Sequence, residues 1–260
     1  MTKAPTDQRL RVEVLIVLGL SLGWSAIVSI WLYVEALLRP APIASQTTTL
    51  HPSVSRVPVM DIIYQVLVDG YKLVPVALAI YLLNDRTGKA RERLGLIWHK
   101  GGGPSLWRDV GTGAGLAAAI GIPGIGVYAI GRALGQSLKV DTNGLGDHWW
   151  TATLLILAAL VAAVLEETIM VGYLVTRLRE MRWKVAWIVA ASAVIRGCYH
   201  LYQGWPMAIG NLVMGIVLVL VFLRTRRVGP LIVAHAILDL VSFVGPEIVP
   251  ISWLVALHVA

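Results

Sequence analysis

The sequence predicts an all-α fold, a polytopic transmembrane helix bundle, and three observations predict it. The 260-residue chain is 57% hydrophobic and 14% charged, whereas a soluble domain carries about 25% charged residues. Apolar runs of the roughly 20 residues that a spanning helix needs recur along its whole length. Basic residues gather in alternate loops between those runs.

In chain order the runs are residues 12–38, 57–83, 110–134, 149–176, 185–202, 207–223, 229–244 and 248–260, about eight spans, with the last two short. Lys3, Arg9 and Arg11 precede the first run, and Arg86, Lys89, Arg91, Arg93, Lys100 and Arg108 lie between the second and third. Arg177, Arg179, Arg182 and Lys184 follow the fourth, and Arg224, Arg226 and Arg227 follow the sixth. The intervening loops are poorer in cations. Cytoplasmic loops carry the Lys/Arg excess, so both termini are expected in the cytoplasm. The net charge of +7 is thereby a topology signal and not a nucleic-acid footprint, and membrane lipids are the expected surroundings of a multi-pass protein of the cell membrane. The first run is too long for a signal-peptide core and has no small-x-small cleavage site after it, so it is expected to be retained. A single cysteine, Cys198, excludes an intramolecular disulfide framework.

The chain divides into N-terminal transmembrane helices and loops over residues 1–148 and a core over 149–260, where the polar intramembrane residues concentrate. Residues 40–58, rich in Ser, Thr and Pro, read as an external loop, and 84–109 as a basic cytoplasmic loop with a flexible Gly101-Gly102-Gly103-Pro104 run. Small residues recur at four-residue intervals in the third span, as in Gly111 with Gly115, Ala117 with Gly121 and Gly131 with Gly135. That pattern permits close helix approach. Gly113-Ala114-Gly115 is not read as a dinucleotide loop, which needs a preceding strand and a soluble helix after it.

An ionised side chain at the bilayer centre costs on the order of 3 kcal/mol on insertion scales, so charges inside spans are candidates for function. Glu166 and Glu167 lie in the fourth span, Arg196 in the fifth and Asp239 in the seventh, with His200 and His235 close by. Positions four apart share a helix face. Arg196 therefore projects with His200, and His235 with Asp239. Glu166 and Glu167 stand about 100° apart and can border one pocket. A carboxylate, two imidazoles and a second carboxylate in one water-accessible cavity can activate water for peptide hydrolysis, the Glu as general base and the His groups as donors.

Glu166-Glu167-Thr168-Ile169-Met170-Val171-Gly172 resembles the first motif of the CAAX-prenyl-protease and bacteriocin-processing family (CPBP, or abortive infection), a Glu-Glu pair followed by Arg and Gly. The stretch from Arg196 to His200 resembles its second motif, and His235-Ala236-Ile237-Leu238-Asp239 its third. The resemblance covers roughly residues 149–244. It implies an intramembrane endopeptidase acting on a membrane-associated or C-terminal peptide or protein substrate. It also implies Glu166 as the base, His200 and His235 as orienting, proton-transfer or oxyanion-binding groups, and Asp239 as the partner of His235 or of the oxyanion. Members are often labelled metalloproteases, so the cofactor is either none or a zinc ion. Two positions depart from the pattern: Val171 stands where the family has Arg, and Arg196 where it has an aromatic residue. With Val171 in place, Glu167 has no cation on its own helix, and Arg196 is expected to reach Glu167 or Glu166 from the neighbouring one.

Two other functions stand beside this reading. One is a proton-coupled transporter, because Glu, His and Asp within spans also form relays; no internal repeat supports it. The other is a non-catalytic membrane scaffold of the same fold. Asp69 with Lys72 reads as a neutralising pair, and Trp149, Trp150, Trp183 and Trp205 as interfacial anchors. Counting about 1.5 Å per residue from the basic ends, Glu166 lies roughly 16 Å deep, His235 roughly 10 Å and His200 roughly 24 Å. These depths meet only if helices tilt or the fifth span begins near Val189.

Overall fold

A computed structural model describes residues 7–84, 88–97, 106–142 and 144–248. The Gly101–Pro104 run and the eighth predicted span, 248–260, lie outside the described residues apart from the helical end at Ile248. Helix α1 (Asp7–Gly19) and α2 (Leu22–Leu38) replace the single first span and meet at a 52° bend. Gly19, Ser21 and Gly23 flank the break, residue types at which helices kink, and Ser21 Oγ donates to the Val17 carbonyl at 2.6 Å.

The chain then forms α3 (Pro58–Leu83), the short α4 (Ala90–Arg93) and α5 (Leu106–Ala133). Helix α6 (Thr151–Glu166) runs through a π-helical turn, Glu167–Tyr173, into α7 (Leu174–Glu180). Helices α8 (Val185–Tyr199), α9 (Trp205–Thr225) and α10 (Gly229–Ile248) complete the bundle. Among the described residues four helices are long and apolar enough to cross a membrane, or five if the bent α1–α2 pair is one span, and α8 and α10 are shorter apolar helices. The chain is thus a multi-pass helical membrane protein, with fewer full-length spans described than the eight expected from the sequence.

The fold is not purely helical. Strands β1 (Thr47–Thr49) and β2 (Lys139–Asp141) pair in parallel and tie the predicted external loop to the segment after α5. Gln46 secures the first of these loops by donating to the Ala36 and Ala41 carbonyls, each at 2.8 Å.

The α6–α7 helix is the centre of the bundle: 67% of its apolar window is buried, against 11% for α5. The outer helices turn Trp24, Trp31, Leu67 and Trp107 outward. On a soluble protein such apolar area would be a liability, and in lipid it is the ordinary outer face. Helix α5 packs along α10 through one of the expected pairs, Ala117 with Gly121, and not through Gly111 with Gly115. Nothing lies within 4 Å of a Cβ built on Gly111 or Gly115, whereas one on Gly113 would fall 2.6 Å from Val233 and one on Gly121 2.8 Å from Leu238. The close approach therefore uses Gly113, Ala117 and Gly121, a four-residue stripe displaced by two positions from Gly111 and Gly115.

At one end Arg227 clasps Asp109 with two bonds of 2.8 and 2.6 Å and donates to the Ile97 carbonyl at 3.2 Å, while Val228 N–H donates to Leu94 O. Helix α10 thus begins beneath residues 94–97. Lys72 and Asp69 pair at 2.9 Å, as their spacing suggested. Trp149 is 91% exposed, but Trp150 is buried with Leu145, Leu154 and Leu155 in a small second core, so it is not an anchor.

His51 lies in the predicted external loop with its ring edge-on to Phe243, 4.8 Å between centroids, and its buried Nε2 has no hydrogen-bond partner among the described residues. Burial, and then the nearby Lys72 charge, lower its pKa from about 6.5 to about 4. Because the folded value lies below the unfolded one, the stability tied to neutral His51 is complete above about pH 6.5 and is lost as pH falls towards about 4. A falling thermal midpoint over that window is expected for the parent. In His51→Phe that slope should flatten; an unchanged slope would contradict the assignment.

Candidate active site

The π-helical turn places the first two site residues. Hydrogen bonds that close at i→i+5 leave the regular ladder locally incomplete, and Ser192 of α8 meets this by donating its Oγ to the Met170 carbonyl at 2.9 Å. Glu166 ends the α-helical stretch and Glu167 opens the π turn, both buried. The expectation that position 171 lies beneath Glu167 presumes 3.6 residues per turn, which does not hold across this segment. Val171 is fully buried in the main core.

Helix α8 is fifteen residues long, about 22 Å, shorter than the roughly 30 Å hydrocarbon core. His200 is its C-cap, outside the helix, followed by a 3-10 turn, Leu201–Gln203. This corrects the fifth span as read to residue 202, yet His200 still shares with Arg196 one target, Glu166 Oε2, as their four-residue spacing predicted. The turn closes on Gly204 at φ +111°, where an added Cβ would lie 2.7 Å from the Gln136 carbonyl oxygen. Only glycine fits there.

Counted from the observed helix ends, two of the three depths agree. Helix α7 carries the fourth span on to Glu180, so Glu166 lies fourteen residues from that end, and His200 lies fifteen from the start of α8 at Val185. At about 1.5 Å per residue both sit about 21 to 22 Å in. His235 lies six residues into α10, so the count from its helix end still places it shallower, and packing brings its ring to Glu167.

All six residues expected at the site come together. Arg196, 0% exposed, reaches Glu167 Oε1 from Nη2 at 2.6 Å and Glu166 Oε2 from Nη1 at 3.3 Å, the contact anticipated from the two motif departures. His235 Nδ1 lies 2.7 Å from the same Glu167 Oε1. A carboxylate paired with a guanidinium can only accept, so Nδ1–H donates. The ring is thereby fixed with Nε2 turned to Glu166 Oε2 at 3.8 Å and Asp239 Oδ2 at 3.5 Å. The main partner of His235 is thus Glu167 and not the expected Asp239. His200 Nε2 stands 3.9 Å from Glu166 Oε2, and among the described residues both of its ring nitrogens are buried without a partner. Glu166, His200 and Asp239 keep side-chain exposures of 11%, 18% and 18%, against 2% or less for Arg196, Glu167 and His235. The first three border the open side of the cluster, and the second three form its sealed floor.

Sequence reasoning passed over Tyr199, whose hydroxyl donates to Glu166 Oε2 at 2.6 Å. Its spacing of three from Arg196, one turn of the same helix, was the available signal. The cluster gathers the residues of the three motifs read from the sequence. Residues 148–241 match the family model described as Rce1-like, type II CAAX prenyl endopeptidase Rce1-like.

Over this segment the chain is similar to the Rce1-like family.

The Rce1-like segment takes in Glu166, Glu167, Arg196, His200, His235 and Asp239 and ends two residues beyond the last of them. No curated protein and no solved structure matches the chain. A zinc ion does not fit the cluster as built. Among the described residues no three His, Cys, Asp or Glu side chains form a metal-holding group. An ion on Glu166 or Glu167 would also face the buried Arg196 guanidinium, already 2.6 and 3.3 Å from their oxygens. Like charges at that range repel strongly in a low-dielectric interior.

Proposed function

We propose that this protein is an intramembrane endopeptidase of the glutamate type that hydrolyses a peptide bond in a membrane-associated or C-terminal peptide. Residues 149–260 form its working core and residues 1–148 supply further spans and loops. The observation that carries the reading is the gathering of Arg196, Tyr199, His200 and His235 around one oxygen of Glu166. This leaves a buried carboxylate fixed by donors yet open on one side.

Glu166 takes a proton from a water molecule as the water oxygen adds to the scissile carbonyl carbon, and the carbonyl π electrons move onto its oxygen. The oxyanion is met by an N–H of His200, whose nitrogens have no other partner among the described residues, and by Nε2–H of a protonated His235 ring that is paired with Asp239. When the adduct collapses, the C–N bond breaks and Glu166 returns its proton to the leaving nitrogen. Glu167 and Arg196 hold His235 and balance the buried charge. A proton-coupled transporter would spread such groups along a path, whereas here they converge.

The family description supports a prenylated C-terminal peptide as substrate, and the basic residues in alternate loops support cytoplasmic termini. The direct test is purified protein in detergent with an internally quenched peptide carrying a farnesylated cysteine near its C-terminus. Cleavage is expected, and it should persist in excess chelator with no stoichiometric metal by elemental analysis. Loss of cleavage on chelation with recovery on adding zinc would replace the glutamate-type mechanism by a metal-dependent one. Absence of cleavage in this and a general peptide library would contradict the endopeptidase reading.

A further inference from the structure

Two donors from successive turns of α8 meet the same oxygen of Glu166: Tyr199 Oη at 2.6 Å and Arg196 Nη1 at 3.3 Å. Glu166 Oε1 makes no hydrogen bond among the described residues, and this side chain keeps 11% exposure. The two contacts are unequal. The guanidinium gives its short bond, 2.6 Å, to Glu167 and only a long one to Glu166. A hydroxyl at 2.6 Å lies in the range of a charge-assisted O–H···O⁻ bond, roughly twice as strong as a neutral one. The hold on Glu166 therefore rests mainly on Tyr199. The tyrosine ring is itself fixed, buried to 5% exposure and tilted against the His200 ring at 4.8 Å.

We propose that Tyr199 is a positioning residue that commits Glu166 Oε2 and so assigns Oε1 as the atom that takes the proton from water. The proposal rests on Glu166 being the base and adds which oxygen does the work and what sets it. Without the phenol hydroxyl the carboxylate can rotate about its last torsion, and the water-facing oxygen is no longer fixed at the reacting distance. Displacements of about 1 Å in such groups cost up to roughly a hundredfold in rate.

The test uses the full chain in detergent and the quenched farnesylated peptide. Tyr199→Phe should lower kcat about tenfold to a hundredfold, with KM and the thermal midpoint close to the parent's. Glu166→Asp withdraws the carboxylate by one methylene from the Tyr199 hydroxyl, so adding Tyr199→Phe to it should cost little more. A merely structural tyrosine would cost the same factor in both backgrounds, since independent effects add. Equal factors in the two backgrounds, or a parent-like kcat in Tyr199→Phe, overturn the proposal. Should Tyr199→Phe fail to fold, a fluorinated tyrosine at 199 keeps shape and hydroxyl while changing donor strength. A kcat changed several-fold then supports the proposal, and an unchanged kcat overturns it. If Glu166→Asp and Glu166→Gln both cleave like the parent, it is the reading of Glu166 as base that has failed.

Discussion

Arg196→Ala is expected to destabilise the protein by about 3 to 5 kcal/mol, the usual effect of removing one partner from a buried ion pair. The guanidinium is 0% exposed and touches both carboxylates. Its removal leaves Glu167, itself 0% exposed, with His235 as its remaining partner, and leaves Glu167 Oε2 still unpartnered among the described residues. Two buried carboxylates would then share one site without a cation. Arg196→Lys should recover part of the loss. A single ammonium can replace the short bond to Glu167 but cannot span to Glu166 as two nitrogens of a planar fork do. Thermal unfolding in detergent, read beside peptide cleavage, orders the three proteins parent, Arg196→Lys, Arg196→Ala. An Arg196→Ala protein as stable and as active as the parent would mean that the buried cation is dispensable.

The site was more legible in the sequence than the fold. Charged residues in apolar runs are few, and each must find a partner, so Glu166, Glu167, Arg196, His235 and Asp239 point to one another by residue type and span placement alone. Helix periodicity then says which of them can meet. It misled where the backbone leaves the α-helical repeat. The π turn at Glu167–Tyr173 changes which side chains lie beneath Glu167, and α8 stops at Tyr199, short of the predicted span end, although His200 as its cap still shares a target with Arg196. No proline announces either break. Local pattern also missed pairings that only packing decides. His235 bonds Glu167 across helices in preference to Asp239 on its own helix, and Gly113 rather than Gly111 faces α10. The β1–β2 pair was invisible because each strand is three residues long and its partner lies about ninety positions away.

The central claim is that Glu166 is the base, and Glu166→Gln tests it most directly. Glutamine keeps the shape and one carbonyl oxygen for Tyr199 and Arg196, but it cannot take a proton. Arg196 retains its short contact with Glu167, so the buried charge stays paired and the fold should survive, unlike in Arg196→Ala. General-base catalysis contributes about 10² to 10⁴ in rate. Cleavage of the quenched farnesylated peptide by Glu166→Gln is therefore expected to fall by that factor, with a thermal midpoint near the parent's. Cleavage at the parent's rate by a folded Glu166→Gln protein would contradict the claim.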